Sequence, residues 1–306
     1  MKLAKIKSVG LGLRTVHYDN WISGNSNVGW CEVISENYMF TKGPPLDKLK
    51  KVRLNHEIAL HGVSMSIGSS RTGFSSYLDA LNNLIKVIDP WIVTDHFCWT
   101  GLKDHNTFDL LPLPFTHDSI AFLINAIDRV QNKLKRKVYF ENISAYIGFQ
   151  DSTLQEVDFL NDILRKTGCG LLFDINNLYV NSCNFSFNPY EYIDKLNKES
   201  IGEIHLAGHS KQDDFLFDTH DTRVCDEVWD LYKYTLKCTG KIPTLIEWDE
   251  SIPSFDVLVD EGEKAAKVMN GEISEYSTNT KRNSEINYRE GNKEKTPKSY
   301  KDNYIF

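Results

Sequence analysis

The sequence contains no run of about 18 consecutive apolar residues, no excess of basic side chains and no closely spaced pair of cysteines. The missing apolar run argues against a membrane-spanning helix, and residues 1–13 lack the apolar stretch that marks a signal peptide. Lysine and arginine number 35 against 42 acidic residues, a net charge of −7, which disfavours binding to nucleic acid or to an anionic membrane. We therefore expect a cytoplasmic protein with no membrane or nucleic-acid partner.

The six cysteines show no Cys-x-x-Cys spacing, which argues against a zinc knuckle or a thioredoxin-type motif. In a reducing compartment, thiols without such spacing are expected to remain free. The cysteines are Cys31, Cys98, Cys169, Cys183, Cys225 and Cys238.

Eight short apolar segments, each typical of a buried strand, recur along the 306 residues. Amphipathic stretches with helical spacing separate them, among them residues 74–88, 117–134 with Thr116 as N-cap, 224–236 and 255–269. Eight alternating strands and helices predict a single-domain α/β protein, a TIM-type (β/α)8 barrel. A doubly wound open sheet has a similar pattern, but it would gather polar residues near one switch point rather than at consecutive strands. The strand-like segments are residues 8–13, 30–35, 58–61, 91–96, 138–141, 171–174, 204–205 and 245–247.

The composition changes near residue 271, after which aliphatic residues almost disappear. A segment dominated by Asn, Ser, Thr, Lys and Glu cannot bury enough apolar surface to offset the entropy lost on ordering. The sequence therefore predicts a barrel domain in residues 1–270 and a polar, flexible C-terminal tail in residues 271–306.

Six of the eight segments end in an imidazole or a carboxylate. The C-terminal ends of barrel strands converge on one mouth, where barrel active sites lie. Burying several carboxylates at that mouth is costly unless a cation compensates their charge. The pattern therefore predicts a metal-dependent enzyme whose metal-binding residues are His61, His96, Glu141, Asp174, His205 and Glu247.

Two loops that follow these strands add further donors. Asp218 and His220 lie on the loop after the seventh strand and suit a second or third metal, whereas His209 is expected to orient a ligand. After the sixth strand, an amide is offered by Asn176 or Asn177. Strand alternation favours Asn176, and a turn at that point favours Asn177.

So many nitrogen and oxygen donors exceed the needs of one metal ion. A mononuclear iron site of the two-histidine, one-carboxylate type uses only three. Imidazole together with carboxylate suits Fe, Mn or Zn, and we expect two or three metals bridged by Glu141, which is central in chain order.

Arg14 and Glu36 follow the first two strands and should also lie at the barrel mouth. They are expected either to bind substrate or to pair with each other. His17 and His56 stand in polar contexts and are expected to be solvated.

Nine short motifs, in order along the chain, resemble those of the multinuclear non-haem iron-dependent oxidative enzymes, whose best-known member is the methanobactin-biosynthesis oxidase. The resemblance covers about residues 8–268, nearly everything except the tail. The motifs are residues 10–14 (GLGLR), 35–38 (SENY), 60–63 (LHGV), 109–114 (DLLPLP), 141–144 (ENIS), 174–180 (DINNLYV), 203–209 (EIHLAGH), 218–221 (DTHD) and 245–249 (LIEWD).

The resemblance implies a barrel that holds two or three irons in mixed Fe(II)/Fe(III) states and consumes O2. It implies that the enzyme modifies residues, most often cysteine, in a ribosomally made precursor peptide, together with a separate partner protein that binds the peptide's leader. Glu141, His96 and Asp174 would be catalytic, and Arg14, Glu36, Asn176 and His209 would lie on the substrate side. The implied metal set is His61, His96, Glu141, Asp174, His205 and Glu247, joined by Asp218, His220 and one of the two asparagines, taken as Asn177.

Two other functions fit the same residues. A Zn- or Mn-dependent hydrolase or isomerase resembling the xylose isomerase and endonuclease IV groups also uses carboxylates and imidazoles at strand ends. A non-catalytic binding module would hold no metal, and it would leave the six converging donors unexplained.

Overall fold

The computed structural model describes residues 9–24, 28–69, 74–102 and 105–273, and its centre is a closed barrel of eight parallel strands. In chain order the strands are β1 (Val9–Gly12), β2 (Trp30–Ile34), β3 (Glu57–His61), β4 (Ile92–His96), β5 (Trp99–Leu102), β6 (His105–Leu111), β7 (Tyr139–Glu141), β8 (Gly170–Asp174), β9 (Ile201–Leu206), β10 (Ser210–Gln212), β11 (Phe215–Phe217) and β12 (Thr244–Ile246). Around the barrel the order is β1, β2, β3, β4, β7, β8, β9 and β12, and β12 pairs with β1 to close the ring. The predicted TIM-type barrel is confirmed, and closure excludes the open sheet.

Helices connect successive barrel strands, and one more helix follows the last strand. They are α1 (Tyr18–Ile22), α2 (Glu36–Met39), α3 (Pro44–Asn55), α4 (Phe74–Ile88), α5 (His117–Leu134), α6 (Glu156–Thr167), α7 (Ile175–Phe185), α8 (Pro189–Lys195), α9 (Asp226–Thr239) and α10 (Phe255–Met269), with 3-10 helices at Thr15–His17 and Lys198–Ser200. The bounds of α4, α5 and α10 are those predicted. At the start of α5, the Thr116 hydroxyl accepts a hydrogen bond of 3.1 Å from the Ser119 N–H, so the N-cap is also as expected.

Aromatic side chains fill the N-terminal end of the barrel. Trp30 and Trp91 pack edge to face with ring centroids 5.0 Å apart. The ring of Tyr139 occupies the space beside Gly170 and Gly202, where a Cβ atom would lie 1.9 Å and 2.0 Å from ring carbons. Because this end is filled by apolar rings, polar side chains that point into the barrel lie nearer the C-terminal mouth.

Two antiparallel hairpins, β5–β6 and β10–β11, interrupt the barrel after β4 and β9. Both follow the C-terminal ends of their strands and therefore belong to the mouth. Neither was expected from the sequence, because their short strands carry no regular apolar alternation and lie within long βα connections.

His17 and His56 are buried, so the expectation that they are solvated is wrong. The Nε2 atom of His17 lies 2.9 Å from the carbonyl oxygen of Pro253. The His56 ring packs edge to face on Trp21, with centroids 5.0 Å apart. Tertiary contacts with other helices and loops therefore bury two imidazoles whose local sequence is polar.

Among the described residues, no helix combines the length and apolarity needed to cross a bilayer. The predicted tail, residues 271–306, lies outside the described residues except for its first three positions.

Candidate metal centre

Three histidines from β3, β4 and β9 converge on one carboxylate at the end of β7. The Oε2 atom of Glu141 lies 3.1 Å from His96 Nε2, 3.5 Å from His61 Nε2 and 4.0 Å from His205 Nδ1. All four side chains are buried. Strand pairing explains this geometry, because β3 pairs with β4 and β4 pairs with β7. In the β4–β7 pair, His96 lies directly opposite Glu141. Glu141 is therefore central in space as well as in sequence.

Hydrogen bonds to the far nitrogen orient two of these rings. His61 Nδ1 lies 2.7 Å from the Thr94 hydroxyl, and His96 Nδ1 lies 3.0 Å from the carbonyl oxygen of Gly62. A carbonyl oxygen can only accept, so His96 carries its proton on Nδ1 when neutral. Each ring then turns Nε2 towards Glu141, as a metal-binding imidazole held by an outer partner would.

Asp174 ends β8 and is also the N-cap of α7. Its Oδ1 atom accepts a hydrogen bond of 2.6 Å from the Asn177 N–H. Because the helix begins at once, Asn177 turns back towards β7, and its Nδ2 donates to Glu141 Oε1 at 3.2 Å and to the Asn142 carbonyl at 3.1 Å. After Asp174 the chain therefore neither continues as a strand nor makes an isolated turn, the two conformations considered in the sequence analysis.

Asn176 points to a different group of residues. Its Nδ2 donates to Asp218 Oδ1 at 2.6 Å, and its Oδ1 lies 2.8 Å from His209 Nδ1. Asp218 Oδ1 also lies 2.6 Å from His220 Nε2. Asn176 thus links His209 to the Asp218–His220 pair.

Glu247, which follows β12, joins the two groups. Its Oε2 atom lies 3.1 Å from His205 Nδ1 and 3.4 Å from His220 Nδ1. His220 Nδ1 is also 3.4 Å from Asp249 Oδ2, a contact the sequence reading did not anticipate, although Asp249 lies only two residues beyond Glu247. His220 has a backbone φ of 47°, a left-handed conformation that surrounding contacts must hold.

Arg14 and Glu36 both lie near the mouth, but they have separate partners. Arg14 forms a salt bridge with Asp249, and its Nε donates to the Trp248 carbonyl at 2.9 Å. Glu36 Oε1 accepts from the Tyr77 hydroxyl at 2.7 Å and from the Val63 N–H at 3.0 Å. The alternative that the two residues pair with each other is therefore wrong. Arg14 is connected to His220 by Asp249, which contacts both side chains.

Two further carboxylates, Glu32 on β2 and Glu203 on β9, are buried inside the barrel. Both approach the Nε2 atom of His205, at 3.3 Å and 3.8 Å. The sequence analysis missed them because they lie mid-strand. The available signal was alternation: Glu203 is two residues before His205 and so faces the same side of the strand.

Burial strongly perturbs the protonation of this centre. Burial, followed by repulsion from Glu141, raises the pKa of Asp174 well above its usual range. Burial opposes the charged form of His205, but Glu32 and Glu247 raise its pKa well above the ordinary value. Carboxylates and imidazoles packed so closely need protons or a cation between them to balance their charge.

Several buried donor atoms also lack a hydrogen-bond partner within the described part of the chain: Glu141 Oε2, Asp174 Oδ2 and Asn177 Oδ1. Buried polar atoms are almost always paired, so unpaired oxygens that share one site call for a ligand. Imidazole, carboxylate and amide donors match Fe, Mn or Zn. The donors therefore fit a metal centre. The residue groups that could each hold one ion include His61–His96–Glu141 and Glu141–Asp174–His205–Glu247.

Metal binding is expected to weaken as the pH falls below about 9. Burial alone would lower the pKa of His96, but the adjacent Glu141 raises it to about 9. A metal that binds Nε2 must displace that proton, so the apparent association constant should fall about tenfold per pH unit for each proton released. Chelator competition for Zn(II) across this range measures the slope. The His96→Ala variant should show a slope smaller by about one proton, and a flat wild-type profile would contradict the expectation.

Comparison with known proteins gives one family and one fold. The family described as RiPP precursor modification enzyme MbnB/TglH/ChrH matches residues 8–270. A UPF0276 protein of Acaryochloris marina (strain MBIC 11017) is 43% identical over 263 residues, covering 86% of this chain and 95% of the relative. A UPF0276 protein of Anaeromyxobacter sp. (strain Fw109-5) is 42% identical over 259 residues, covering 85% and 92%.

Solved structures with the same fold are far more distant in sequence. The IOLI protein with a bound zinc atom superposes with a TM-score of 0.60 at 12% identity, covering 88% of this chain and 100% of that one. D-psicose 3-epimerase from Clostridium cellulolyticum H10 superposes with a TM-score of 0.56 at 7% identity, covering 86% and 98%. At such identities the similarity concerns the barrel alone.

Proposed function

We propose that this chain, which belongs to the MbnB/TglH/ChrH family of RiPP precursor modification enzymes, is an iron- and O2-dependent oxidase of a ribosomally synthesised precursor peptide. The residue it modifies is a cysteine. The observation that carries the proposal is the placement of Glu141 Oε2 within 4.0 Å of three imidazoles in a buried site. One carboxylate so placed can bridge two metal ions, which is what a multinuclear centre requires.

Iron would be held by the residues that converge on Glu141 and Glu247. The proposed set comprises His61, His96, Glu141, Asp174, Asn177, His205, Asp218, His220 and Glu247. When bound, two or three irons in mixed Fe(II)/Fe(III) states would supply one-electron chemistry with O2 and affinity for a substrate thiolate. The described part of the centre offers no thiolate of its own, which suits a site that receives one from the peptide.

The chain's own residues exclude water from this chemistry and hold its geometry. His96, Glu141 and Asp174, the proposed catalytic residues, are buried, so solvent does not compete with the substrate. The Gly62 carbonyl and the Asn177 N–H keep His96 and Asp174 in place.

The peptide substrate would approach the metal site from the mouth of the barrel. Arg14, Glu36, Asn176 and His209 are proposed to face or support the peptide there, with Arg14 and Asn176 acting through Asp249 and Asp218. A separate protein that binds the peptide's leader is proposed as the partner.

Metal analysis and Mössbauer spectroscopy on anaerobically purified protein test the proposal first. Two or more irons per chain with antiferromagnetic coupling are expected, together with O2-dependent mass changes in a cysteine-containing precursor peptide. Zinc or manganese alone, with activity unchanged when O2 is removed, would instead indicate a hydrolase or isomerase.

The two asparagines are expected to differ in their effect on iron. Asn177→Ala removes a buried oxygen that has no hydrogen-bond partner within the described residues, so the iron content should fall by about one ion per chain. Asn176→Ala removes the hydrogen bonds to Asp218 and His209 but no unpaired oxygen, so the iron number should persist while affinity weakens about tenfold. Iron stoichiometry and chelator competition distinguish the two variants. A greater loss of iron in Asn176→Ala would reverse the assignment.

A further inference from the structure

His205 differs from the other two histidines around Glu141 in what lies beside its far nitrogen, Nε2, which is buried and has no hydrogen bond within the described residues. His61 and His96 rest against neutral groups, the Thr94 hydroxyl and the Gly62 carbonyl. The far nitrogen of His205 instead faces carboxylates inside the barrel. The His205 ring is fully buried, so no water from bulk solvent can serve as an alternative partner.

The two nitrogens of His205 face opposite directions. Nδ1 lies 3.1 Å from Glu247 Oε2 and 4.0 Å from Glu141 Oε2, on the side of the proposed metals. Nε2 lies 3.3 Å from Glu32 Oε1 and 3.8 Å from Glu203 Oε1, on the side of the barrel interior. A neutral imidazole has one N–H and one lone pair, so binding a metal through Nδ1 requires the proton on Nε2.

We propose that Glu32 is a positioning residue: its carboxylate accepts the Nε2–H of His205 and thereby keeps Nδ1 directed at the metal centre. The inference rests on the proposed function only in that the centre binds a metal. Outer carboxylates of this kind fix the tautomer and orientation of metal-bound histidines and increase their basicity. Among the three imidazoles around Glu141, His205 would then be the strongest donor.

Geometry favours Glu32 over Glu203 for this role. Glu32 Oε1 is the nearer oxygen, and Glu32 comes from β2, across the barrel from the strand that carries His205. Glu203 is on the same strand as His205, and its nearer oxygen lies beyond hydrogen-bonding distance of Nε2. Both carboxyl groups are buried beside the same nitrogen, so Glu203 provides a matched control.

The test compares Glu32→Leu, Glu32→Gln and Glu203→Leu by chelator competition, using iron(II) under anaerobic conditions and zinc separately. Glu32→Leu should bind metal about 10–100-fold more weakly, the usual cost of losing such an outer partner. Glu32→Gln keeps an oxygen acceptor and should retain most of the affinity, and Glu203→Leu should resemble the wild type. Thermal denaturation of each metal-free protein checks folding, and Glu32→Met replaces Glu32→Leu if the latter does not fold.

Nitrogen NMR of labelled histidine in the zinc-loaded protein gives a second readout. The wild type and Glu203→Leu should show His205 bound through Nδ1 with its proton on Nε2, and Glu32→Leu should lose this form.

Unchanged metal affinity in Glu32→Leu, or an equal loss in Glu203→Leu, would overturn the role of Glu32. A wild type that binds zinc tightly, shows the same dependence on Glu32 and does not oxidise peptide would support the positioning role while ending the oxidase proposal. A wild type that binds neither metal would overturn both.

Discussion

Replacing Glu141 by alanine is expected to abolish both the multinuclear centre and the oxidative activity. The substitution removes an oxygen that lies within 4.0 Å of nitrogens from His61, His96 and His205. It leaves His61 and His96 without the carboxylate that contacts both rings. Metal affinity should fall by more than about 100-fold, beyond the cost of losing an outer partner. Iron per chain, Mössbauer coupling and mass analysis of the precursor peptide report the loss.

Glu261→Ala is the matched control for Glu141→Ala. Glu261 is also a buried carboxylate, but it lies on α10 and pairs with Arg223 at 2.5 Å. Its removal should lower the free energy of unfolding while the iron content stays at the wild-type level. If Glu141→Ala kept its full iron complement and turnover, Glu141 would not be the bridging residue, and the proposed set of metal-binding residues would be wrong.

Replacing Gly208 by alanine should displace the loop that carries Asp218 and His220. A Cβ atom on Gly208 would lie 2.3 Å from the backbone oxygen of Thr222, a contact that no side-chain rotation relieves. The Gly208 carbonyl accepts a 3.1 Å hydrogen bond from the His220 N–H, so the clash bears directly on His220. We expect a loss of about 1–3 kcal/mol of stability. We also expect the iron content to fall by about one ion, because the contact between His220 and Glu247 opens.

Gly43→Ala serves as the control, because the nearest side-chain atom to a Cβ there is Thr41 Oγ1 at 3.9 Å. That variant should keep the wild-type iron content. Denaturant unfolding and metal analysis separate the two effects of Gly208→Ala. Unchanged iron content despite reduced stability would show that the Asp218–His220 loop does not contribute a metal position.

The barrel was predictable because its signals are local. Alternating apolar segments and helical periodicity depend only on which neighbours along the chain share a face, and α4, α5 and α10 were predicted at their observed bounds. The six donors that end strands were accessible for the same reason. Once eight parallel strands are inferred, their C-terminal ends must meet, and the structure brings His61, His96, His205 and Glu141 together.

Other features of the site depend on distances between segments remote in sequence. Asn177 reaches Glu141 only because α7 begins directly after Asp174. Strand alternation and turn preferences do not predict a helix at that position. The link from Arg14 through Asp249 to His220 joins the two ends of the barrel sequence.

The sequence by itself determined the parallel barrel, the identity of most of its donors and their shared location at the mouth, because strand alternation and strand order are local properties. Only the tertiary structure decided which nitrogen of each histidine faces Glu141, which asparagine turns inward, and that Glu32 lies against His205. The contact between Glu32 and His205 crosses the barrel between strands that are not hydrogen-bonded neighbours. The other contacts depend on strand pairing, side-chain conformation and the point where α7 begins, none of which is a pattern along the chain.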